Sequence, residues 1–184
     1  WIPLDPAWPD RATIGGIVAT NDSGPRRQRH GTPRDLLIGV QMARADGQLA
    51  KAGGRVVKNV AGYDLGKLLA GSFGCLAVIV GATFKLAPVP PVSRTVTVEM
   101  PSTETLGALV LELAASPLAP SAVERAMPDR ILLVRFESIA AAAERQAADL
   151  IGVARACGAR TAMLADAEEE ALWRHHAGRP WQRS

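Results

Sequence analysis

The spacing of hydrophobic positions changes near residue 92. Upstream, apolar residues come in short blocks broken by Gly and Pro; downstream they recur with clear strand and helix periods. In the downstream half, Arg94–Met100 alternates Val96, Val98 and Met100 on one face, which predicts a strand. Leu106, Leu109, Val110 and Leu113 fall at helical spacing in Thr103–Ala115, with Ser102 or Thr103 placed to cap the N-terminus. Arg130–Phe136 reads as a second strand. Ile139–Cys157 reads as a long helix, with Ile139, Ala143, Ala147, Leu150, Ile151 and Ala154 on one face and Gly158 at the C′ position. Arg160–Leu164 reads as a third strand, and the last twenty residues as a partial helix. The expected module is β-α-β-α-β, similar to a small ferredoxin-like unit.

The upstream half is harder to read. Trp1–Asp10 carries Pro3, Pro6 and Pro9 and is expected to be extended or turning. Ala12–Ala19 reads as a short buried segment followed by a loop through Asn21–Arg29. Asp35–Ala43 has strand-like apolar content. With Asp46-Gly47 as the turn and a second strand beginning at Gln48–Lys51, it predicts a hairpin. Gly62–Leu69 reads as a short helix with Leu65, Leu68 and Leu69 inward. Leu76–Leu86 reads as a buried strand that becomes half-exposed. Pro88, Pro90 and Pro91 make Ala87–Val92 the expected linker, dividing the chain into regions 1–90 and 91–184.

Composition narrows the function classes. In 184 residues, 48% hydrophobic content supports a real core and argues against wholesale disorder. A net charge of +3, without a basic face interleaved with aromatics, gives no support to nucleic-acid binding. Arg26, Arg27 and Arg29 read either as a solvated basic loop or as a contact for a phosphate or carboxylate. Cys75 and Cys157 form no CxxC pair, which argues against a disulfide scaffold or an iron–sulfur cluster and suits a reducing, cytoplasmic setting. His30, His175 and His176 lack metal-ligand spacing, so no metal is expected. Leu68–Phe84 is uncharged between Lys67 and Lys85, but it is short for a membrane span and is broken by Gly71, Ser72, Gly74 and Gly81.

Two segments stand out for chemistry: Thr13–Gly24 (TIGGIVATNDSG) and Asn59–Gly74 (NVAGYDLGKLLAGSFG). Glycine admits positive φ and close approach of a ligand to the backbone, and Thr, Asn and Ser offer short hydrogen bonds. Such segments suit an elongated anionic cofactor held largely through backbone N–H groups. Neither contains GxGxxG, a phosphate-binding P-loop or GxSxG. Locally, Asn21–Gly24 also reads as a simple turn, His30 as a surface histidine, and Tyr63-Asp64 as a turn with a packed tyrosine.

The order of motifs is more specific than any one of them. TIGGIVATNDSG is followed by GPRR, then RDLLIGV, then KNVAGYDL and GSFGCL. This order and spacing, over about residues 1–92, resemble the second half of the flavin domain of the vanillyl-alcohol-oxidase-type (PCMH-type) FAD flavoproteins. Within that family the resemblance is to the FAD-binding subunits of bacterial glycolate oxidases. It implies an α+β fold: the second half of a PCMH-type FAD-binding domain over 1–90, followed by the start of the family's cap domain over 91–184.

The resemblance also implies FAD as cofactor. It places Thr13, Gly15, Gly16, Ala19, Thr20, Asn21 and Gly24 along the pyrophosphate and flavin ring. It brings Gly62, Tyr63 and Asp64 near the flavin, and Gly71, Ser72, Gly74 and Ile79 near the adenosine half. The implied activity is oxidation of glycolate or a similar 2-hydroxy acid to the 2-oxo acid. Electrons would pass to partners: a second flavin subunit and an iron–sulfur subunit, with at most peripheral membrane association through them. Another enzyme of the family, such as a D-lactate dehydrogenase, and a non-catalytic assembly subunit or inert remnant are the alternatives. The family's PxGGTS-like phosphate loop is missing, so a truncated chain is expected; the metal-binding and catalytic histidines of related 2-hydroxy acid dehydrogenases are missing too.

Overall fold

The computed structural model describes residues 1–56 and 62–178. Residues 58–61 of the KNVAGYDL motif and Trp181 lie outside the described residues. The chain divides into two compact units, Trp1–Pro88 and Val89–Ser184.

The first unit is built on a three-stranded antiparallel sheet, β1 (Leu37–Ala43), β2 (Leu49–Gly53) and β3 (Val78–Phe84), in the order β2-β1-β3. The Asp46-Gly47 turn closes the β1–β2 hairpin, with Gly47 at φ 78°, a conformation that glycine adopts without a Cβ penalty. Helix α1 (Ile14–Thr20) and the short α4 (Leu65–Leu69) lie on one sheet face, where Val18, Leu37, Val40, Met42, Leu69 and Ala77 form the core. Two single turns, α2 (Arg27–His30) and α3 (Pro33–Leu36), connect α1 to β1.

Several expectations are corrected here. Ala12–Ala19 is helical rather than merely buried: Thr13 caps it, its Oγ1 accepting from the Gly16 N–H at 3.1 Å. Leu68 points outward, 59% exposed, because a five-residue helix presents one stripe and Leu69 fills it. β3 is not a buried strand. The helices cover one face of the sheet, so Val78 and Val80 stand on the other face at 66% and 55% exposure.

The second unit has a four-stranded antiparallel sheet of β4 (Val92–Glu99), β5 (Ala122–Ala126), β6 (Ile131–Ser138) and β7 (Arg160–Leu164), in the order β5-β6-β4-β7. Helices α5 (Thr103–Ala115) and α6 (Ala140–Ala156) enclose a core of Val96, Val98, Leu109, Val134, Phe136 and Leu150 on one face. Ser102 is the N-cap of α5, and Gly158, at φ 80°, follows the C-cap of α6. The expected β-α-β-α-β run gains a strand, β5, and becomes the β-α-β-β-α-β order of a ferredoxin-like unit. β5 escaped notice because AVERA lacks a clear alternation of apolar and polar positions.

The other face of this sheet carries Ser93, Thr95 and Arg135. It is covered by α7 (Asp166–Gly178). The Glu169 carboxylate accepts from Ser93 Oγ at 2.6 Å, Thr95 Oγ1 at 2.6 Å and Arg135 Nε at 3.0 Å. Trp173 Nε1 donates to Thr95 Oγ1 at 2.8 Å, and its ring lies 4.4 Å below the Arg135 guanidinium. Glu169 and Arg135 are both buried and paired. Removing one partner of a buried pair strands the other, at a cost of about 3–5 kcal/mol. Glu169→Ala is expected to destabilise the second unit by that amount in denaturant unfolding. Arg145→Ala, which breaks the exposed pair with Asp149, is expected to cost less than about 0.5 kcal/mol.

Candidate functional site

The Gly-rich helix α1 and the turn after α4 are joined by backbone hydrogen bonds. A helix end leaves its last carbonyls without intrahelical donors. In α1 these donors come from fifty residues downstream as well as from the adjacent loop. Gly71 N donates to Val18 O at 3.0 Å, Phe73 N donates to Ala19 O at 2.8 Å, and Asp22 N donates to Ile17 O at 3.1 Å. The geometry demands unusual backbone: Gly71 and Gly74 have φ of 80° and 78°, and Phe73, a bulky non-glycine residue, has φ 53°. On the sheet side, a Cβ on Gly15 would sit 3.4 Å from the Ile79 carbonyl oxygen, so α1 approaches β3 closely at that point.

These contacts bring most of the sequence-derived residues into one cluster: Thr13, Gly15, Gly16, Ala19, Thr20, Asn21, Gly71, Ser72, Gly74 and Ile79. Their roles divide. Thr13 Oγ1 is used as the helix cap, and Thr20 Oγ1 donates to Gly16 O at 2.8 Å. Asn21 takes the left-handed conformation, φ 54°, and its Oδ1 accepts from Arg34 N at 3.0 Å. Gly24 lies against Asp5: its N–H donates to Asp5 Oδ1 at 2.9 Å, and a Cβ there would collide with the Asp5 main chain and carboxylate. That N–H is therefore occupied by an internal carboxylate.

Gly62, Tyr63 and Asp64 lie elsewhere in the unit, lining an open cleft of about 220 Å3 with Asp35, Lys67 and Lys85. Tyr63 is not packed; its ring is 94% exposed. Asp64 caps α4, accepting from Lys67 N at 3.1 Å and pairing with Lys67 Nζ at 3.1 Å. The Lys67 amide holds the Asp64 carboxyl below its ordinary pKa, and the Thr32 amide and hydroxyl do the same for Asp35. Arg26, in the basic loop, lies over the Trp1 ring at 5.1 Å, and His30 meets the same ring edge-on.

Whether the cluster suits a bound cofactor can be judged from its own atoms. The Ser72 hydroxyl oxygen is buried and has no hydrogen-bond partner among the described residues. An orphan polar atom of this kind is uncommon and costly unless a ligand or water completes it. It lies in the turn docked onto α1, beside the exposed ring of Phe73, which is 74% exposed. This combination fits an elongated ligand with polar and aromatic parts. Phe73 and Asp5 were not singled out from sequence. Phe73 carried a signal, an aromatic between residues of a Gly-rich turn; Asp5 carried none, because its partners are 19 and 21 residues away.

Comparison with known proteins follows the same segment. Residues 1–53 match the family described as FAD binding domain. Glycolate oxidase subunit GlcE of Escherichia coli is 42% identical over 93 residues, 50% of this chain and 27% of that protein. Glycolate oxidase subunit GlcD of Bacillus subtilis is 34% identical over 122 residues, 66% of this chain and 26% of that protein. D-lactate dehydrogenase of Archaeoglobus fulgidus is 38% identical over 115 residues, 62% of this chain and 26% of that protein. The chain thus spans about a quarter of these relatives. Among solved structures, alkyldihydroxyacetonephosphate synthase superposes with a TM-score of 0.78 at 16% identity, covering 100% of this chain and 41% of the other; the likeness is one of fold.

Two consequences can be measured. Gly24→Ala forces a methyl group into Asp5 and is expected to destabilise the first unit by about 1–3 kcal/mol in denaturant unfolding. Asp35 and Asp64 have folded pKa values below the ordinary 3.8, so their stabilising effect is present above that pH and lost as pH falls through the lowered values. Asp64→Asn is expected to flatten the acid limb of a circular-dichroism pH titration.

The matched segment, the motif order and the fold agree: residues 1–53 carry a match to an FAD binding domain, and the chain is similar to FAD-linked oxidoreductases.

Proposed function

We propose that the chain is part of an FAD-dependent oxidoreductase that oxidises a small 2-hydroxy acid, such as glycolate, to the 2-oxo acid. The observation that carries this reading is the docking of the Gly71–Phe73 turn on the C-terminal end of α1, a helix that lies inside the family match over residues 1–53. In this reading the first unit is the second half of a PCMH-type FAD domain, and the second unit is the start of the cap domain. Thr13, Gly15, Gly16, Ala19, Thr20, Asn21 and Gly24 shape one wall of the cofactor site. Gly71, Ser72, Gly74 and Ile79 shape the adjoining wall, and Gly62, Tyr63 and Asp64 contribute from the separate cleft.

The chemistry FAD supplies when bound is acceptance of two electrons from the substrate carbon. This chain's part is to bind and orient. Gly15 and Gly16 let α1 pack closely on β3 and on its own Thr13 cap, the Ser72 hydroxyl is free to bond a polar group of the cofactor, and the Phe73 ring offers an apolar surface. Relatives named as glycolate oxidase subunits support an assembly with a second flavin subunit, and we place an iron–sulfur subunit beside it as electron acceptor. No helix of the described residues is long and apolar enough to cross a membrane; a cytoplasmic protein, associated with a membrane at most through its partners, suits this assembly.

The test uses the full-length protein. It is expected to purify with visible flavin absorbance, or to regain it on reconstitution with FAD, and the absorbance is expected to bleach anaerobically on adding glycolate or D-lactate. A protein that neither retains nor takes up FAD overturns the proposal; bound flavin that no 2-hydroxy acid bleaches overturns the substrate class. Ser72→Ala separates ligand binding from folding. Removing an orphan hydroxyl is expected to leave the FAD-free protein unchanged or to stabilise it, by up to about 1–3 kcal/mol, while weakening FAD binding.

A further inference from the structure

We propose that Asp5 and Asp22 are positioning residues that tie the Asn21–Arg26 loop to the N-terminal strap, fixing the loop in the form that receives the cofactor. The inference rests on the reading of Thr13–Gly24 as a cofactor wall.

The two carboxylates act in opposite directions across the same seam. Asp5, on the strap, accepts from Gly24 N through Oδ1 at 2.9 Å and from Arg26 N through Oδ2 at 2.8 Å. Asp22, on the loop, accepts from Ala7 N through Oδ2 at 3.2 Å. Charge-assisted bonds from backbone N–H groups to a carboxylate are among the stronger hydrogen bonds of a protein. The strap is itself anchored: Trp1 N donates to Ala87 O at 2.8 Å, Trp1 O accepts from Ala87 N at 3.0 Å, and Pro3 is fully buried. Gly24 completes the seam, since any side chain there would push Asp5 away. Asn21 and Asp22 follow directly from α1, so a loop released from the strap would carry the end of the cofactor wall with it.

The sign of the electrostatics separates positioning from direct binding. FAD carries a negatively charged pyrophosphate, and two carboxylates beside its wall repel it at long range. If Asp5 acted only through its charge, removing it would leave FAD affinity unchanged or raise it. If Asp5 holds the loop, removing it lowers affinity, because the loop must then be ordered on binding.

The experiment measures FAD affinity of the full-length protein by flavin fluorescence titration, for the parent and for Asp5→Ala, Asp5→Asn, Asp22→Asn and the Asp5→Ala/Asp22→Asn double variant. Each is also assayed for its thermal transition and for the visible circular dichroism of bound flavin, well below that transition. Asp5→Ala is expected to weaken FAD binding about tenfold and to alter the dichroism. Asp5→Asn, which keeps one acceptor, is expected to lose less. The double variant is expected to lose less than the product of its parts, because both bonds close one seam. Should Asp5→Ala fail to fold, Asp5→Asn and Asp22→Asn decide the matter. Folded variants that bind FAD as tightly as the parent or more tightly, with unchanged dichroism, overturn the positioning role alone. A lowered thermal transition without a change in affinity does the same. A parent protein that binds no FAD overturns the cofactor reading on which the role rests.

Discussion

The first unit depends on how a two-turn helix disposes of its terminal carbonyls. A helix as short as α1 has more unpaired backbone groups than internal bonds, and alone in water it would not persist. Its N-terminal end is closed by Thr13. Its C-terminal end is closed by amides of Asn21, Asp22, Gly71 and Phe73. The last two bring a distant turn into register with the helix, and the positive φ angles at Gly71, Phe73 and Gly74 are what that register requires. The same bonds that stabilise the helix therefore assemble the candidate site. Satisfying the backbone and gathering the candidate-site residues are one event.

Glycine serves two different ends within this arrangement. At Gly71 it supplies a left-handed conformation. At Gly24 it supplies space for a carboxylate whose oxygens take the local N–H groups. The Gly24 N–H is therefore taken by Asp5, as the Gly16 N–H is by Thr13.

Legibility in the sequence followed the range of the interactions. In the second unit, Val96, Val98 and Met100 and the Ala143–Ala147–Leu150–Ala154 stripe place their elements by period alone, because one face meets a core and the other does not. The same alternation leaves Ser93 and Thr95 off the core face without saying what they meet. They face α7, and nothing local announces a partner more than seventy residues later. In the first unit, GGIVAT has poor helix propensity, so α1 was legible only as a buried segment; a cap and tertiary bonds override the propensity. The motif order carried the family, which local physics did not. The strap of Asp5 was illegible, since two aspartates in Pro- and Gly-rich stretches look like ordinary turn residues.

The network beneath α7 has a consequence for how the second unit comes apart. Lifting the helix would leave Arg135 with its carboxylate gone and would expose the Trp173 and Leu133 cluster together. Intermediate states, with α7 half detached, lose the ion pair without gaining full hydration for it. The helix and the sheet are therefore expected to open together rather than by fraying. Amide protons of β4 and β6 at Thr95 and Arg135 would then exchange together with those of α7, on a single timescale.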